Sequence, residues 1–469
     1  MTDSRTAATG GDWTAIVLAG LYAALVALAP GIRLKLASLA PLVLVPLGWW
    51  ALLSPMRWVA AFLVAALLLP PLPVPLGDSG PHPAILIAAL GLAVGLCRLP
   101  EWRPRLDFLS ATLLSYFAIL LASVAFAALY SGAGIAAASL ARVLLFGISV
   151  YLFFYVAHGP GAAGRADPVP LLFWAGLATA AFACLDFYFQ LPAPAGFGPQ
   201  YVWLESGVYR RAQGVFYEAS TLGNLCVFLL VMIAATLLRR DRALRIPRFL
   251  LALGAILLFV TLMLSFSRAS LLSLLVALGV LTSLGRMRLA RLLLALPPIL
   301  VAAAWAAHTV LPEFAWAYQA RLLASLEHLL GAAGGVLSGR LESWRTLAAF
   351  LWERPWHLIF GVGYKTLPYS DFTGKPVIAD NAYLSALVET GIIGLAALLA
   401  LNFAILATAW SAARHPDRST SVLGIWIFSF WSGQLFQMLS GDLLTYWRVL
   451  PVYFWVLALA VRSMRSSTG

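Results

Sequence analysis

Apolar runs of about 18 residues recur along almost the whole chain, broken by short segments rich in Pro, Gly and Arg. Runs of that length with few charges are long enough to cross a bilayer as α-helices, whereas a membrane barrel needs short alternating segments. The pattern predicts spans at 13–30, 35–53, 56–72, 83–98, 107–130, 135–157, 169–190, 217–238, 249–265, 268–285, 290–310, 381–410, 420–440 and 446–462. The expected fold is an all-α polytopic membrane protein of about 12–14 transmembrane helices. Pro70, Pro71 and Pro73 end one run, and Pro297 and Pro298 interrupt another. Proline is tolerated in such helices where neighbours satisfy the freed carbonyls.

One stretch departs from the pattern. From about Pro312 to Gly394 the chain carries Arg321, Arg340, Arg345, Arg354, Lys365 and Lys375 with Glu342, Glu353, Asp371 and Asp380, and most of it contains no convincing span. Within it, 338–352 sets Leu341, Trp344, Leu347, Ala348 and Leu351 at helical spacing, with Arg340, Glu342 and Arg345 toward the other side. That pattern reads as an amphipathic helix on the membrane surface, or as a helical lid with a solvated charged face. Glu313–Leu330 is a second, weaker amphipathic candidate. The organisation expected is an N-terminal transmembrane bundle (1–200), helices bearing arginine motifs (201–310), a large polar loop (311–380) and C-terminal helices (381–469). Chemistry on a polar substrate is expected beside that loop, since the spans offer little for such a substrate to bind.

Composition agrees: 62% of residues are hydrophobic and 11% charged, against about a quarter charged in soluble domains. The net charge of +12, from 31 Lys+Arg and 19 Asp+Glu, does not indicate nucleic acid, because most arginines fall in short inter-helix loops. Arg98, Arg103 and Arg105, the group from Arg239 to Arg248, Arg286 to Arg291, Arg414 and Arg418, and Arg462 and Arg465 all fall on one side, which charge bias makes cytoplasmic. Arg33 and Lys35 fall on the other. The 191–216 loop, the break at 265–267 and the 311–380 loop then share the opposite face, the periplasm in a bacterial inner membrane. Met1–Asp12 lacks the basic and small-residue features of a cleaved signal, so the first span is expected to remain. Cys97, Cys184 and Cys226 lie in apolar runs and read as small hydrophobes. There is no internal repeat at solenoid periods, nor the paired half-repeats typical of transporters, the class that would move a lipid-linked glycan rather than react it.

The charges that cut against topology are the candidates for chemistry. Arg268, in Ser265-Phe266-Ser267-Arg268-Ala269-Ser270, sits between two apolar runs. Its planar fork suits phosphate oxygens, and a helix starting there aims amides at the same anion; a snorkelling interfacial arginine is the plainer alternative. Arg210 and Arg211 fall on the non-cytoplasmic side, which favours anion binding over topology. Gly214 permits a tight turn. Glu218 either pairs with an arginine or meets substrate. Arg142, Asp186 and Glu389, within or at the edges of spans, each line a cavity or serve as a buried pair partner. His308, His328 and His357 form no metal spacing, so no metal or other cofactor is expected. Walker and GxSxG motifs are absent, and Gly361-Val362-Gly363 is a turn signal.

Taken in order, these pieces resemble the superfamily of O-antigen ligases and Wzy-type polysaccharide polymerases, inner-membrane enzymes acting on lipid-linked glycans. Arg211-Ala212-Gln213-Gly214-Val215-Phe216 looks like its first arginine motif, and Ser265-Phe266-Ser267-Arg268 like its second. Gly339-Arg340 through Trp344, Glu353-Arg354-Pro355 and Gly361 to Tyr364 look like its periplasmic loop. Asp380-Asn381 and Gly391-Ile392-Ile393-Gly394 look like its terminal motif. The resemblance implies a glycosyltransferase C-like fold and transfer from an undecaprenyl-diphosphate-linked saccharide to a saccharide acceptor, in a bilayer, beside other polysaccharide-assembly proteins. It implies catalytic roles for Asp380, Arg211 and Arg268, and substrate contacts for Arg210, Glu218, Arg340, Arg345, Tyr364, Lys375 and Asn381. Ligases of the family usually carry histidine where this chain has Asp380. An aspartate with an unperturbed pKa of about 4 is a weaker base. The change favours a polymerase over a ligase.

Overall fold

The computed structural model describes residues 45–72 (except 55), 81–159, 168–193, 197–239 (except 205 and 206), 246–285 and 340–466 (except 373 and 375), with scattered positions between 17 and 24 and between 305 and 320. The expected spans 13–30 and 290–310, the first part of 35–53 and most of Glu313–Leu330 lie outside these residues, as does Lys375.

The hydrophobic runs become helices within a few residues of their expected bounds. They are α1 (Val45–Leu53), α2 (Arg57–Leu68), α3 (Pro83–Cys97), α4 (Phe108–Ser131), α5 (Ala133–His158), α6 (Pro168–Phe189), α7 (Ala219–Arg239), α8 (Arg248–Leu264) and α9 (Arg268–Gly285). After the polar loop with α10 (Arg340–Glu353) and the single turn α11 (His357–Phe360) come α12 (Ala382–Ala413), α13 (Arg418–Gln437) and α14 (Leu450–Ser466). Among the described residues α4, α5, α6, α7 and α12 are long and apolar enough to cross a membrane, and α1 with α2, bent by 118°, makes a sixth if counted as one span. The chain is an all-α polytopic membrane protein. α3, α8 and α9 are apolar but shorter.

α13 is the hub, touching α7, α9, α12 and α14, while α14 also packs on α5. Phe228, Trp426, Phe430 and Tyr453 meet there with ring centroids 4.5 to 4.8 Å apart. Protein surrounds most of α13, so it tolerates polar side chains that a lipid-facing span excludes. Asn224 of α7 donates to Gln434 Oε1 (2.6 Å) and Gln437 Oε1 (2.9 Å). Gln434 donates to Ser273 (2.9 Å) and Gln437 to Ser270 (3.4 Å), and Tyr453 donates to Asn224 Oδ1. A buried network of this kind is stabilising only when its members are satisfied, and here each has a partner.

Two features were not expected. The 191–216 loop contains an antiparallel hairpin, β1 (Tyr201–Leu204) with β2 (Gly207–Arg210); four-residue strands are too short to register in a helix-length reading. The other is a break inside α12. Gly391 adopts φ 70°, ψ −173°, freeing carbonyls before it. Val362 N–H donates to Val388 O (3.1 Å) and Gly363 N–H to Glu389 O (2.8 Å), so the Gly361–Gly363 turn satisfies them. A Cβ on Gly391 would lie 2.0 Å from Ile359 O, so this approach requires glycine.

At the end of the bundle away from the polar loop, Arg465 pairs with Asp107 and donates to Ala157 O (3.3 Å). Arg465, expected to set topology, is there engaged in closing the bundle.

Candidate functional site

The other end gathers the segments singled out in the sequence. The stretch Arg211–Glu218 is wedged between helices. Ala212 N–H donates to Leu264 O (2.9 Å), and Arg211 Nε donates to Ser265 O (2.9 Å). The two arginine motifs are therefore joined through the α8–α9 turn. Gly214 is left-handed (φ 54°), and its Cβ would sit 3.0 Å from Ala183 Cβ. In the α8–α9 turn Phe266 is also left-handed (φ 50°), and Ser267 accepts from Ser270 N–H (3.4 Å). Arg268 is the first residue of α9. Gly223 of α7 makes room for this turn, since a Cβ there would lie 2.9 Å from Ser270 Oγ and 3.0 Å from Ser265 Oγ.

The polar loop closes over the same place. In α10, Leu347 and Phe350 form a satellite core with Val362, Leu367, Val377, Ala379 and Val388, and Trp344 Nε1 donates to Ala379 O (2.7 Å). The helix is thus a lid packed on the loop, with Leu347 and Phe350 inward and Ala348 exposed. Arg340 Nε meets Asp380 Oδ2 at 3.2 Å, and Arg340 lies within electrostatic reach of Arg268. Asp380 itself is left-handed (φ 45°).

Arg211 lies near Tyr446, Glu218 and Arg268; burial lowers its pKa, opposed by the first two and assisted by the third. Glu218 accepts from Thr221 Oγ1 (2.6 Å). Burial pushes its carboxyl above the usual carboxylate range, against the Thr221 bond and Arg211 and with the help of Asp380. Three guanidinium groups, Arg211, Arg268 and Arg340, thus share one region with two carboxylates, Glu218 and Asp380.

Other expected site residues have different surroundings. Arg210 pairs with the buried Asp186 at 3.1 Å. Asn381 caps α12, its side chain accepting from the amides of Tyr383 and Leu384. Tyr364 is buried, its amide donating to Ser123 Oγ (3.3 Å) and its carbonyl accepting from Ser139 (2.6 Å). Arg345 is exposed on the lid. Arg142 donates to Lys365 O (3.3 Å) and Tyr369 OH (2.7 Å), and Glu389 is buried beneath Lys365.

Three groups escaped the sequence reading. Lys365 pairs with Asp442, tying the polar loop to the α13–α14 segment. Tyr446 is buried close to Glu218, Asp442 and Asp380. Arg448, buried between α13 and α14, donates to Ala66 O (2.9 Å), Val215 O (2.6 Å) and Leu69 O (2.6 Å). A buried arginine inside an apolar run, like the polar Asn224, Gln434 and Gln437 inside theirs, was the available signal.

Fold and site together define a multi-pass membrane protein with an arginine-rich region beneath the polar loop at one end of its helical bundle. Residues 253–399 match the family Wzy_C, described as O-Antigen ligase, which supports the resemblance to the O-antigen ligase and Wzy-type superfamily. The matched stretch contains Arg268, the lid and the Asp380–Gly394 segment, and begins after Arg211. No curated protein matches the chain.

Proposed function

We propose that the chain is a membrane glycosyltransferase that polymerises undecaprenyl-diphosphate-linked repeat units of a surface or exported polysaccharide. The observation that carries this reading is the convergence of Arg211, Arg268 and Arg340 at one end of the bundle, next to Asp380. Guanidinium groups bind phosphate oxygens in pairs, and a lipid diphosphate carries its charge at the depth where helix ends lie. The donor lipid is already activated, so no nucleotide sugar is needed.

In the reaction, an acceptor hydroxyl attacks the anomeric carbon of the donor. The new carbon–oxygen bond forms as the bond from that carbon to the phosphate oxygen breaks. Its electron pair leaves on undecaprenyl diphosphate, where Arg211 and Arg268 stabilise the developing charge. Asp380, held by Arg340, orients the hydroxyl and takes its proton. The site end faces the periplasm of a bacterial inner membrane, in keeping with the basic loops at the opposite end. An impermeant thiol reagent is expected to label cysteines introduced at 210 and 380 in intact spheroplasts.

The description of the matched family favours a second reading, in which the same donor is transferred to lipid A-core or a protein. Glycans of a strain lacking the gene separate the two. The polymerase reading expects single repeat units to accumulate on lipid, whereas the ligase reading expects lipid-bound glycan of unchanged length.

A further inference from the structure

A pocket of 120 Å³ opens beside the arginine cluster, with Glu218 in its wall. The rest of its lining is of another kind. Phe197, Tyr217 and Trp447 are half-buried at its edge, Phe216 and Tyr446 lie deeper, and His82 and Arg448 close one side. The Phe197 and Tyr217 rings lie 5.1 Å apart at 36°, and Trp447 meets His82 edge-on at 5.3 Å. Tyr217 is held in the left-handed region (φ 55°), with its carbonyl accepting from Gln213 (2.8 Å). A non-glycine residue kept there is a strained conformation that the surrounding structure has to impose.

The cations of this pocket do not serve an anion. All three Arg448 nitrogens are engaged by backbone carbonyls. His82 accepts from Ala84 N–H at Nδ1 (3.1 Å), so its Nε2–H points at Leu69 O (3.0 Å). What remains presented is mostly aromatic surface, with the Glu218 carboxyl and the hydroxyl-bearing Thr221 and Thr445. Aromatic faces bury the C–H face of a sugar ring, and a carboxyl group hydrogen-bonds its hydroxyls.

We propose that this pocket binds the sugar ring joined directly to the lipid diphosphate. The ring stacks on Phe197, Tyr217 and Trp447, and Glu218 accepts a hydrogen bond from one of its hydroxyls. The assignment rests on the donor reading above: with the diphosphate on Arg211, the attached sugar lies one bond away, and Glu218 is the residue common to both places.

The test uses purified full-length protein in nanodiscs and two probes, lipid-linked saccharide extracted from the deletion strain and undecaprenyl diphosphate without sugar. Trp447→Leu and Phe197→Leu are expected to weaken binding of the saccharide-bearing lipid at least tenfold and to leave binding of the bare diphosphate within twofold. Trp447→Phe is expected to restore most of the affinity, which a merely unfolded variant would not. Equal losses on both probes, or none on either, overturn the pocket assignment. Arg211→Ala and Arg268→Ala are expected to weaken both probes; if they weaken neither, the donor reading itself fails, whatever the aromatic variants do.

Discussion

Two charged clusters share the same end of this bundle, and they are built to different ends. In one, Lys365 and Arg142 face Asp442 and Glu389, cations matched by carboxylates, with the Lys365–Asp442 pair nearly buried. In the other, Arg211, Arg268 and Arg340 gather around Glu218 and Asp380, with Asp380 half-exposed. Burial demands compensation within the protein, and the first cluster has it. Guanidinium groups in excess at an accessible place are suited to an anion from outside. The difference separates a fastening from the proposed binding site, although both are built from the same residue types and both include residues of the polar loop.

The largest expected effect breaks the fastening. Lys365→Met leaves Asp442 and Glu389 buried without their cation and is expected to cost about 3–5 kcal/mol of stability, read as a large loss of melting temperature in detergent. Lys365→Met combined with Asp442→Leu recovers much of it. Next come the arginines of the second cluster. Arg211→Ala and Arg268→Ala should lower polymer formation in membranes by roughly 10²–10³-fold while the melting temperature stays nearly unchanged. Were the two sets of variants to exchange phenotypes, the distinction between the clusters would be wrong.

A smaller effect concerns Arg448, which is a cation yet belongs with the fastenings because carbonyls engage it. It helps keep its neighbour neutral: burial first, then Arg448, lowers the His82 pKa to about 4, against the hydrogen bond to Leu69. The unfolded chain, with a histidine near 6.5, binds protons that the folded chain refuses. The His82 contribution is therefore full above about pH 6.5 and is lost as pH falls toward 4, on the order of 3 kcal/mol in all. Melting curves of the protein and of His82→Gln across that window should diverge accordingly. Smallest is Asn381→Ala, expected to cost about 1 kcal/mol as a lost N-cap. A tenfold fall in turnover with an unchanged melting temperature would instead return Asn381 to the substrate.

Much of the fold was legible because one rule dominates in lipid: every backbone polar group must be satisfied within the segment, so a long apolar run has to be a helix. The order of spans followed from that alone, and so did the suspicion attached to Arg211 and Arg268, charges where charge is expensive. Which arginine does what was not legible. Arg210 and Arg211 are adjacent and chemically identical, yet one turns to Asp186 on α6 and the other to the α8–α9 turn. That outcome depends on a carboxylate 24 positions away and a backbone carbonyl 54 positions away, which no local pattern encodes. Lys365, Asp442 and Arg448 stayed hidden for the same reason, since their partners lie 77 or more residues distant in sequence. Hydrophobic length is a local property and determined the helices; charge compensation is a property of neighbours in space, and only the packed bundle decided it.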